Sequence, residues 1–580
     1  MNRLFTILLT IITAALTAAA QPKYEVRAVW LTTIGGIDWP HSYAGSARSI
    51  ERQKDELRAI LDRLQRANIN TVLLQTRIRA TTIYPSAYEP WDGCLSGKPG
   101  KSPGYDALQF AIDECHSRGM ELHAWVVAIP VGKWNSAGCA RLRKRHPGLV
   151  RKIGAEGYMN PEKQQTAEYL ADLCAEITAN YDIDGIHLDY IRYHETWPMK
   201  VSRKQGRANI TNIVRAISHR VKSMKPWVKM SCSPIGKYKD LSRFSSFGWN
   251  AYERVCQDAQ GWLRDGLMDA LFPMMYFRGN QFYPFALDWQ EQSNGRHVVP
   301  GLGVYFLHPS EVDWSEQSYG RIVAPGLGIY FMSPREKDWP LSDITREMLT
   351  LRHYGMGHAY FRSKFFTDNV KGIYSFARES FCRYPALIPP MTWESTAQPE
   401  PPSSLSRDRH AGDVERLSWL PTDRDTTKIM YNVYCSREYP VNTDDARNLV
   451  MVRLRKTGII IPRDPSRYYA VTATDRYGNE SKPLQEKHTD CDATPARLPD
   501  GLLECDGKRL SLPKKSNVLD ASFVTIETLQ GDIVATRQYK GNTADVSRLP
   551  EGMYVLRSLG RKGVSHRLGH FIIRRHDGMR

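Results

Sequence analysis

The sequence predicts an α/β protein, in which a (β/α)₈ TIM-like barrel is followed by two small all-β domains of sandwich type. From residue 24 to about residue 384, short apolar runs alternate with amphipathic helical stretches, as in repeated strand–helix units. Eight such units over roughly 360 residues suit a barrel. After Pro385 the runs become short and alternating, which indicates antiparallel β domains. An open doubly wound sheet is the alternative for the first part, but no G-x-G-x-x-G fingerprint supports it.

The predicted barrel strands are short apolar runs, and the helices between them show a helical period of apolar residues. The strands are predicted at 26–33, 71–77, 122–128, 183–189, 228–233, 269–276, near 298–306 and at 358–361. Helices are predicted at 50–67, 164–180, 210–224 and 344–354.

Residues 288–312 and 313–337 form a tandem repeat of 25 residues each. Roughly 16 positions match between the two copies, and two copies are too few for a solenoid. They also supply nine strand candidates for eight barrel positions. We therefore expect one copy to form the seventh strand and the other to be an insertion, and the sequence does not choose between them.

The remaining boundaries follow from composition. Residues 1–20 have the positive residue, apolar run and small-residue end of a secretory signal, and the barrel is expected over 21–384. A linker rich in Pro and Ser is expected over 385–413, a β-sandwich over 414–488 and a C-terminal β domain over 495–580.

Charge and cysteine content limit the function classes. The net charge of +17 is spread along the chain, and its densest basic run is 141–146. A solvated helix face is the preferred explanation of that run; if it binds an anionic polymer, an exported protein would meet an acidic glycan or a membrane surface rather than nucleic acid. The ten cysteines have no metal-ligand spacing, so no metal or cofactor is expected. We expect no transmembrane segment after signal cleavage, and a periplasmic, outer-surface or secreted location. The oligomeric state is left open.

The most informative segment is 181–193, Tyr-Asp-Ile-Asp-Gly-Ile-His-Leu-Asp-Tyr-Ile-Arg-Tyr. In a buried parallel strand, His187 and Asp189 point to one side and Asp184 to the other. Asp189 then lies at the carboxyl end of the strand, where barrel enzymes keep their reactive groups. The alternative is that Asp189 caps a turn or pairs with Arg192.

Other candidates follow the first two strands. Trp30 and Trp39 suit stacking against sugar rings, and they could equally belong to the core. Gln75 and Arg77 are expected to face the barrel interior, with Asp189 as the carboxylate partner of Arg77.

The third and fourth strands add a polar group. His123 and Trp125 share one face of the third strand, and His123 and His187 are expected to form a network below Asp189. Further candidate substrate contacts follow the fourth and sixth strands: Arg192, Tyr193 and Tyr276.

Hydrolysis of a glycosidic bond needs two carboxyl groups, one protonated and one acting as base or nucleophile. Asp189 is the first candidate. For the second, the loop residues Glu195, Glu89 and Asp38 are considered in that order, and Asp38 is also a candidate substrate contact.

Five motifs stand in order along the chain, at 27–40, 105–108, 121–125, 181–193 and 359–366. Together they resemble the glycosyl-hydrolase-like family 10, a group of exported bacterial barrel proteins of which some are linked to cell-wall glycan cleavage. The resemblance covers roughly residues 24–384 and implies a (β/α)₈ fold with Asp189 as the leading catalytic carboxylate. The 414–485 region resembles a fibronectin type III module.

The sequence is therefore compatible with three functions. The first is an exported glycoside hydrolase that cleaves O-glycosidic bonds of a bacterial polysaccharide, with peptidoglycan strands as one candidate substrate. The alternative is a catalytically degenerate barrel that binds glycan or acts as a cell-surface protein. A third reading makes the β domains surface-attachment modules and the barrel their passenger.

Overall fold

The structure is a computed structural model. It describes residues 21–242, 244, 248–278, 281–293, 322–410, 412–423, 425 and 428–486, and further short segments between 503 and 573. The chain forms two compact units, Met1–Glu486 and Lys487–Arg580.

Eight parallel strands form a closed barrel, which confirms the predicted fold class. The strands are Arg27–Leu31, Thr71–Arg77, Glu121–Val127, Gly185–Asp189, Lys229–Cys232, Ala270–Leu271 with Met274–Met275, Ile322–Val323 with Gly326–Leu327, and His358–Tyr360. Each strand pairs with the next along the chain, and the eighth pairs with the first through Arg27 and His358.

The sixth and seventh strands are each divided into two short pieces, because a proline interrupts each strand. Pro273 and Pro325 have no N–H to donate to the ladder. The two halves still pair in register, Ala270 with Ile322 and Met274 with Gly326. The ladder around the barrel is therefore continuous.

The seventh strand belongs to the second copy of the tandem repeat. The matching segment of the first copy, near 298–306, lies outside the described residues, so its predicted role as an insertion stays a prediction. Gly326 in the second copy has a steric reason to be glycine, because a Cβ there would lie 2.7 Å from the Trp30 ring. The barrel interior has no room for a side chain at this position.

Helices follow the strands and cover the outside of the barrel. The main ones are Ala47–Arg66, Ala107–Ser117, Gln164–Asn180, Arg203–Met224, Ala259–Arg264, Tyr283–Ser293 and Leu341–His353, with Ser363–Thr367 and Ile373–Phe376 after the eighth strand. Their apolar faces pack on outward strand residues such as Leu74, Ile186 and Leu188. Within the described part of the chain, no helix is long and apolar enough to cross a bilayer.

After the third strand the chain forms a small lobe over residues 130–159, which we call the basic lobe. It consists of the antiparallel strands Pro130–Lys133, Val150–Ile153 and Glu156–Met159, with the helix Ala137–Arg145. It leaves the barrel at the carboxyl end of the strands. There, the Ala128 N–H donates to the Asp189 carbonyl, and the Met159 N–H donates to the Ile129 carbonyl.

A β-sandwich follows the barrel in the same unit. One sheet contains Ser403–Arg409, Val414–Leu420 and Gly458–Pro462; the other contains Leu449–Leu454, Met430–Ser436, Tyr468–Thr474 and Leu484–Gln485. The sandwich begins at Ser403, inside the predicted linker. The sequence did not indicate this first strand because it is polar and shows little apolar alternation. The fibronectin type III assignment stays a prediction.

The sandwich closes the end of the barrel opposite to Asp189. Arg453 donates to Glu121 (3.0 Å) and to Asp184 (2.7 Å), both at the amino ends of barrel strands. Lys229 also binds Glu121, at 2.8 Å. Asp184 therefore has a structural role, as its place at the start of the strand suggests.

The second unit is all β in its described segments. One sheet has the order Ile533–Gln538, Ala521–Thr528, Gly552–Gly560 and Ser565–Ile573, and a smaller one pairs Arg509–Ser511 with Thr543–Asp545. Its core contains Val524, Leu556 and Phe571.

Candidate active site

Asp189 ends the fourth strand and points into the mouth of the barrel, with 8% of the residue exposed. Its Oδ1 accepts hydrogen bonds from the Tyr190 N–H (2.8 Å) and the Ser233 hydroxyl (2.9 Å). Its Oδ2 accepts one hydrogen bond, from the Trp125 indole, at 3.2 Å. Three barrel strands thus contribute to the surroundings of a single carboxyl group.

Burial raises the pKa of the Asp189 carboxyl, and the hydrogen bonds from Ser233 and Tyr190 and the charge of Arg192 only partly oppose this effect. A carboxyl group with a raised pKa keeps its proton to higher pH, which is the property that a general acid needs. Because Oδ1 already accepts two donors, Oδ2 is the oxygen with room to carry that proton.

Below Asp189, the barrel interior is filled by a small hydrogen-bonded group. The Trp30 indole donates to His187 Nε2 at 3.2 Å, and His187 Nδ1 lies 2.9 Å from the Ser231 hydroxyl. Since Nε2 accepts, Nδ1 carries the proton and donates to Ser231. Burial lowers the pKa of His187 well below its ordinary value, so the ring is neutral.

Trp30 is therefore part of this interior group and is not available as a sugar contact. Its ring packs edge-on against Phe272 and Phe361, and 1% of the residue is exposed. Of the two readings of Trp30, core or sugar contact, the structure supports the core.

On one side of the mouth, Arg192 contacts Glu195, Tyr190 and Trp249. Its guanidinium donates to Glu195 at 2.7 Å and lies 4.3 Å from the Tyr190 ring centre and 5.5 Å from that of Trp249. Tyr190 adopts a left-handed backbone conformation (φ +50°), which is strained for a tyrosine and aims its N–H at Asp189. The Tyr190 and Trp249 rings are partly open to solvent.

The pKa of the Glu195 carboxyl is shifted in the opposite direction to that of Asp189. Its side chain is 34% exposed, and the charge of Arg192 lowers the pKa of its carboxyl despite partial burial. Burial thus favours the protonated form of Asp189, and the charge of Arg192 favours the ionised form of Glu195. An acid and a base need environments that favour opposite protonation states in this way.

The other side of the mouth is aromatic. The rings of Tyr276, Tyr330 and Phe361 lie 5.4–5.8 Å apart and come from the ends of the sixth, seventh and eighth strands. Phe365 extends this group from Tyr330. Tyr276 was predicted from sequence; Tyr330, Phe361, Ser233 and Trp249 were not. The signal for Tyr330 was the Gly-Ile-Tyr-Phe segment of the second repeat copy.

The predicted pairing of Arg77 with Asp189 is wrong. The Arg77 guanidinium binds Glu89 through contacts of 2.7–3.0 Å, and it donates to the carbonyls of Val127 and Ala128. A register shift between Gln75 and Arg77 turns the arginine outward, so it does not share the inward direction of Gln75. Glu89 is thereby a structural partner and is not free to act as a second catalytic acid.

Asp38 and Trp39 are buried, and both are hydrogen-bonded within the protein. Asp38 is buried, accepts from the Thr32 backbone and hydroxyl, and pairs with Arg362. The Trp39 indole donates to the Gln53 carbonyl at 2.7 Å, and the residue is fully buried against the first long helix. Asp38 therefore orders the loop after the first strand.

The remaining candidates divide between the mouth and the core. Gln75 faces inward and accepts from the Thr33 and Ile34 N–H groups. His123 lies near the closed end of the barrel, 3.1 Å from Glu121. Tyr193 is buried on the outer side of the barrel, with its hydroxyl bound by Asn209.

The described residues contain no group of His, Cys, Asp and Glu side chains that could hold a metal ion.

Comparisons with known proteins bear mainly on the barrel. The family model described as "Glycosyl hydrolase-like 10" matches residues 25–305. The chain is 26% identical over 517 residues to "Glycosyl hydrolase YngK" of Bacillus subtilis (strain 168), covering 81% of this chain and 95% of that protein. It is 29% identical over 292 residues to "Glycosyl hydrolase DigH" of Escherichia coli (strain K12), covering 44% of this chain and 66% of that protein.

Among solved structures, the glycoside hydrolase domain of PgaB (BpsB) from Bordetella bronchiseptica matches with a TM-score of 0.40 and 12% sequence identity, covering 61% of this chain and 98% of that one. A TM-score of this size is too low to bear on the site. The family model and the two named relatives support a glycoside-hydrolase-like role. Over residues 25–305, the barrel of this chain is therefore similar to the glycosyl hydrolase-like 10 family.

Proposed function

We propose that this protein is an exported glycoside hydrolase that cleaves O-glycosidic bonds of a bacterial polysaccharide, with peptidoglycan glycan strands as the first substrate to test. The observation that carries the proposal is the pair of carboxyl groups at one barrel mouth, Asp189 with a raised pKa and Glu195 with a lowered one.

In this proposal Asp189 is the general acid. Its Oδ2 carries the proton and gives it to the oxygen of the leaving sugar as the glycosidic bond breaks. The Tyr190 N–H and the Ser233 hydroxyl hold Oδ1 and so fix the direction of the carboxyl group. They also stabilise the carboxylate that remains after the proton has left.

Glu195 is the proposed second carboxylate. Arg192 keeps it ionised, so it can take a proton from water or attack the sugar directly. The charge of Arg192 acts on both carboxyl groups, lowering the pKa of each. Arg192 is therefore a positioning residue that holds Glu195 through a hydrogen bond of 2.7 Å and favours its ionised form.

The aromatic side of the mouth suits a sugar chain. Pyranose rings present apolar faces that stack on aromatic side chains, and Tyr276, Tyr330 and Phe361 offer such a surface beside Asp189. The signal-like residues 1–20 support export, and both named relatives are bacterial glycosyl hydrolases. These points favour a bacterial glycan outside the cytoplasm as substrate.

A second candidate, a catalytically degenerate barrel that binds glycan, has one observation in its favour. The fifth, sixth, seventh and eighth strands are followed at the mouth by Ser233, Tyr276, Tyr330 and Phe361, and not by acids. If Glu195 does not act on the substrate, Asp189 is left without a partner.

The test uses purified full-length protein and its Asp189→Asn and Glu195→Gln variants on defined polysaccharides, including peptidoglycan strands with and without their peptides. We expect released reducing ends with the parent chain and at least ~100-fold less with either variant, the usual loss when an acid or base is removed. The anomeric form of the first product, read by NMR, then separates nucleophile from base. Binding of a glycan by all three proteins with hydrolysis by none would select the degenerate barrel instead.

A further inference from the structure

The basic lobe (residues 130–159) carries an excess of positive charge, which no ion pair among the described residues neutralises. It contains seven Lys or Arg residues and one carboxylate, Glu156, which pairs with Arg79 outside the lobe. The seven are Lys133, Arg141, Arg143, Lys144, Arg145, Arg151 and Lys152. None of them forms an ion pair with any carboxylate that the structure describes.

Two of these cations converge on one aromatic ring from different elements. The Arg143 guanidinium, on the helix, lies 3.9 Å from the ring centre of Trp134 and donates to the Trp134 carbonyl at 3.0 Å. The Lys152 ammonium, on the facing strand, lies 5.7 Å from the same ring centre. The cluster therefore joins a half-buried ring to two cations at the surface of the lobe.

We infer that the basic lobe is a binding site for an anionic glycan, in which Trp134 stacks on a sugar ring and Arg143 and Lys152 bind its carboxylate or phosphate groups. Arg and Lys bind such anions directly, and an aromatic ring adds contact with the apolar face of a sugar. The field of seven unpaired cations attracts a polyanion over about one Debye length, ~8 Å at physiological salt.

A glycan fits this surface better than a lipid bilayer does. Surface binding to a membrane normally combines basic residues with exposed large apolar side chains that enter the headgroup region. The exposed large hydrophobic side chains of the described residues include none from the lobe. The lobe instead presents positive charge and one partly buried aromatic ring, Trp134.

The lobe also lies next to the mouth of the barrel. The Tyr158 ring is 4.5 Å from the His194 ring, and His194 precedes Glu195. A chain held on the lobe could thus pass directly to the mouth. That consequence rests on the proposed hydrolase function, whereas binding itself does not depend on it.

The test measures binding by the full-length protein with polygalacturonate as the probe. The matched neutral probe is the same polymer with its carboxyl groups methyl-esterified. We expect binding of the charged polymer that weakens as salt rises, and little binding of the ester. The variant Arg143→Gln/Lys152→Gln should bind about tenfold more weakly, since two charge contacts are removed. The control Arg48→Gln/Arg52→Gln loses the same charge at exposed positions on the first long helix and should bind as the parent does.

A third variant, Trp134→Ala, changes no charge and should also weaken binding. Lys152→Gln alone, at an exposed position, covers the case in which the double variant does not fold. The inference is overturned if the lobe variants and the control bind equally, if the esterified polymer binds as tightly as the charged one, or if Trp134→Ala has no effect. Binding to anionic phospholipid vesicles without binding to polygalacturonate would overturn it in favour of a membrane. Hydrolysis is not read in this experiment, so its outcome is independent of the proposed catalytic residues.

Discussion

Replacement of Glu89 by glutamine tests whether this carboxylate is structural. The Arg77 and Glu89 side chains are 0% and 2% exposed and meet through several N–H···O contacts. Glutamine keeps the shape of glutamate but removes the charge and turns an NH₂ group toward the arginine. Breaking a buried pair in this way costs about 3–5 kcal/mol, because the remaining charge stays buried without its partner.

This cost can be read as a melting temperature. For a cooperative unit of roughly 470 residues, the unfolding entropy is about 1 kcal/mol/K, so we expect Glu89→Gln to melt ~3–5 °C lower. Differential scanning calorimetry measures the shift. The matched control is Glu51→Gln, which breaks the solvent-exposed pair with Lys54 and should cost less than ~1 kcal/mol. An unchanged melting temperature for Glu89→Gln, with lost hydrolysis, would refute the structural role and return Glu89 to the list of catalytic acids.

Three further predictions follow from the pKa shifts. Asp189→Asn should raise the melting temperature at pH 7 while it removes activity. The native state binds the proton of the Asp189 carboxyl more tightly than the unfolded chain does, so ionisation of this carboxyl opposes folding. The difference in melting temperature between variant and parent should vanish below about pH 4, where the carboxyl is protonated in both states. Arg192→Gln should move both limbs of the kcat/KM–pH profile to higher pH, because the charge of Arg192 lowers the pKa of Asp189 and of Glu195. A shift of one limb alone would contradict this shared role. Burial raises the pKa of Glu347 to about 9, and neither of its carboxyl oxygens has a described hydrogen-bond partner. Its native state therefore holds a proton that the unfolded chain releases above about pH 4.5, so Glu347→Gln should gain stability over the parent as pH rises from 5 to 9 in thermal melts.

Sequence alone predicted the barrel and the position of Asp189. The alternation of strand and helix patterns can be recognised locally in the sequence. The two-residue period of side chains along a strand then places His187 and Asp189 on the same, inner side of the fourth strand, with Asp189 at its carboxyl end. The interior location of Trp125 follows from the same period on the neighbouring strand. These features depend only on residues close together in the chain.

The surroundings of these residues were less predictable because they depend on distant partners or on irregular backbone. A register shift of one residue turned Arg77 toward Glu89, and alternation has no means to predict such a shift. Trp30 fits either a core or a sugar site until the small residue opposite it, Gly326, is known. Tyr330 lies in one of two similar repeat copies, and the sequence does not show which copy forms the seventh strand.

The ion pairs of Arg453 with Glu121 and Asp184 affect how this chain can evolve. A domain that is joined only by a linker can be exchanged between genes without cost to its neighbour. Here, loss of the sandwich would leave two carboxylates of the barrel without their arginine. We therefore expect the two domains to be inherited together, and substitutions at these three positions to occur as coupled sets across relatives.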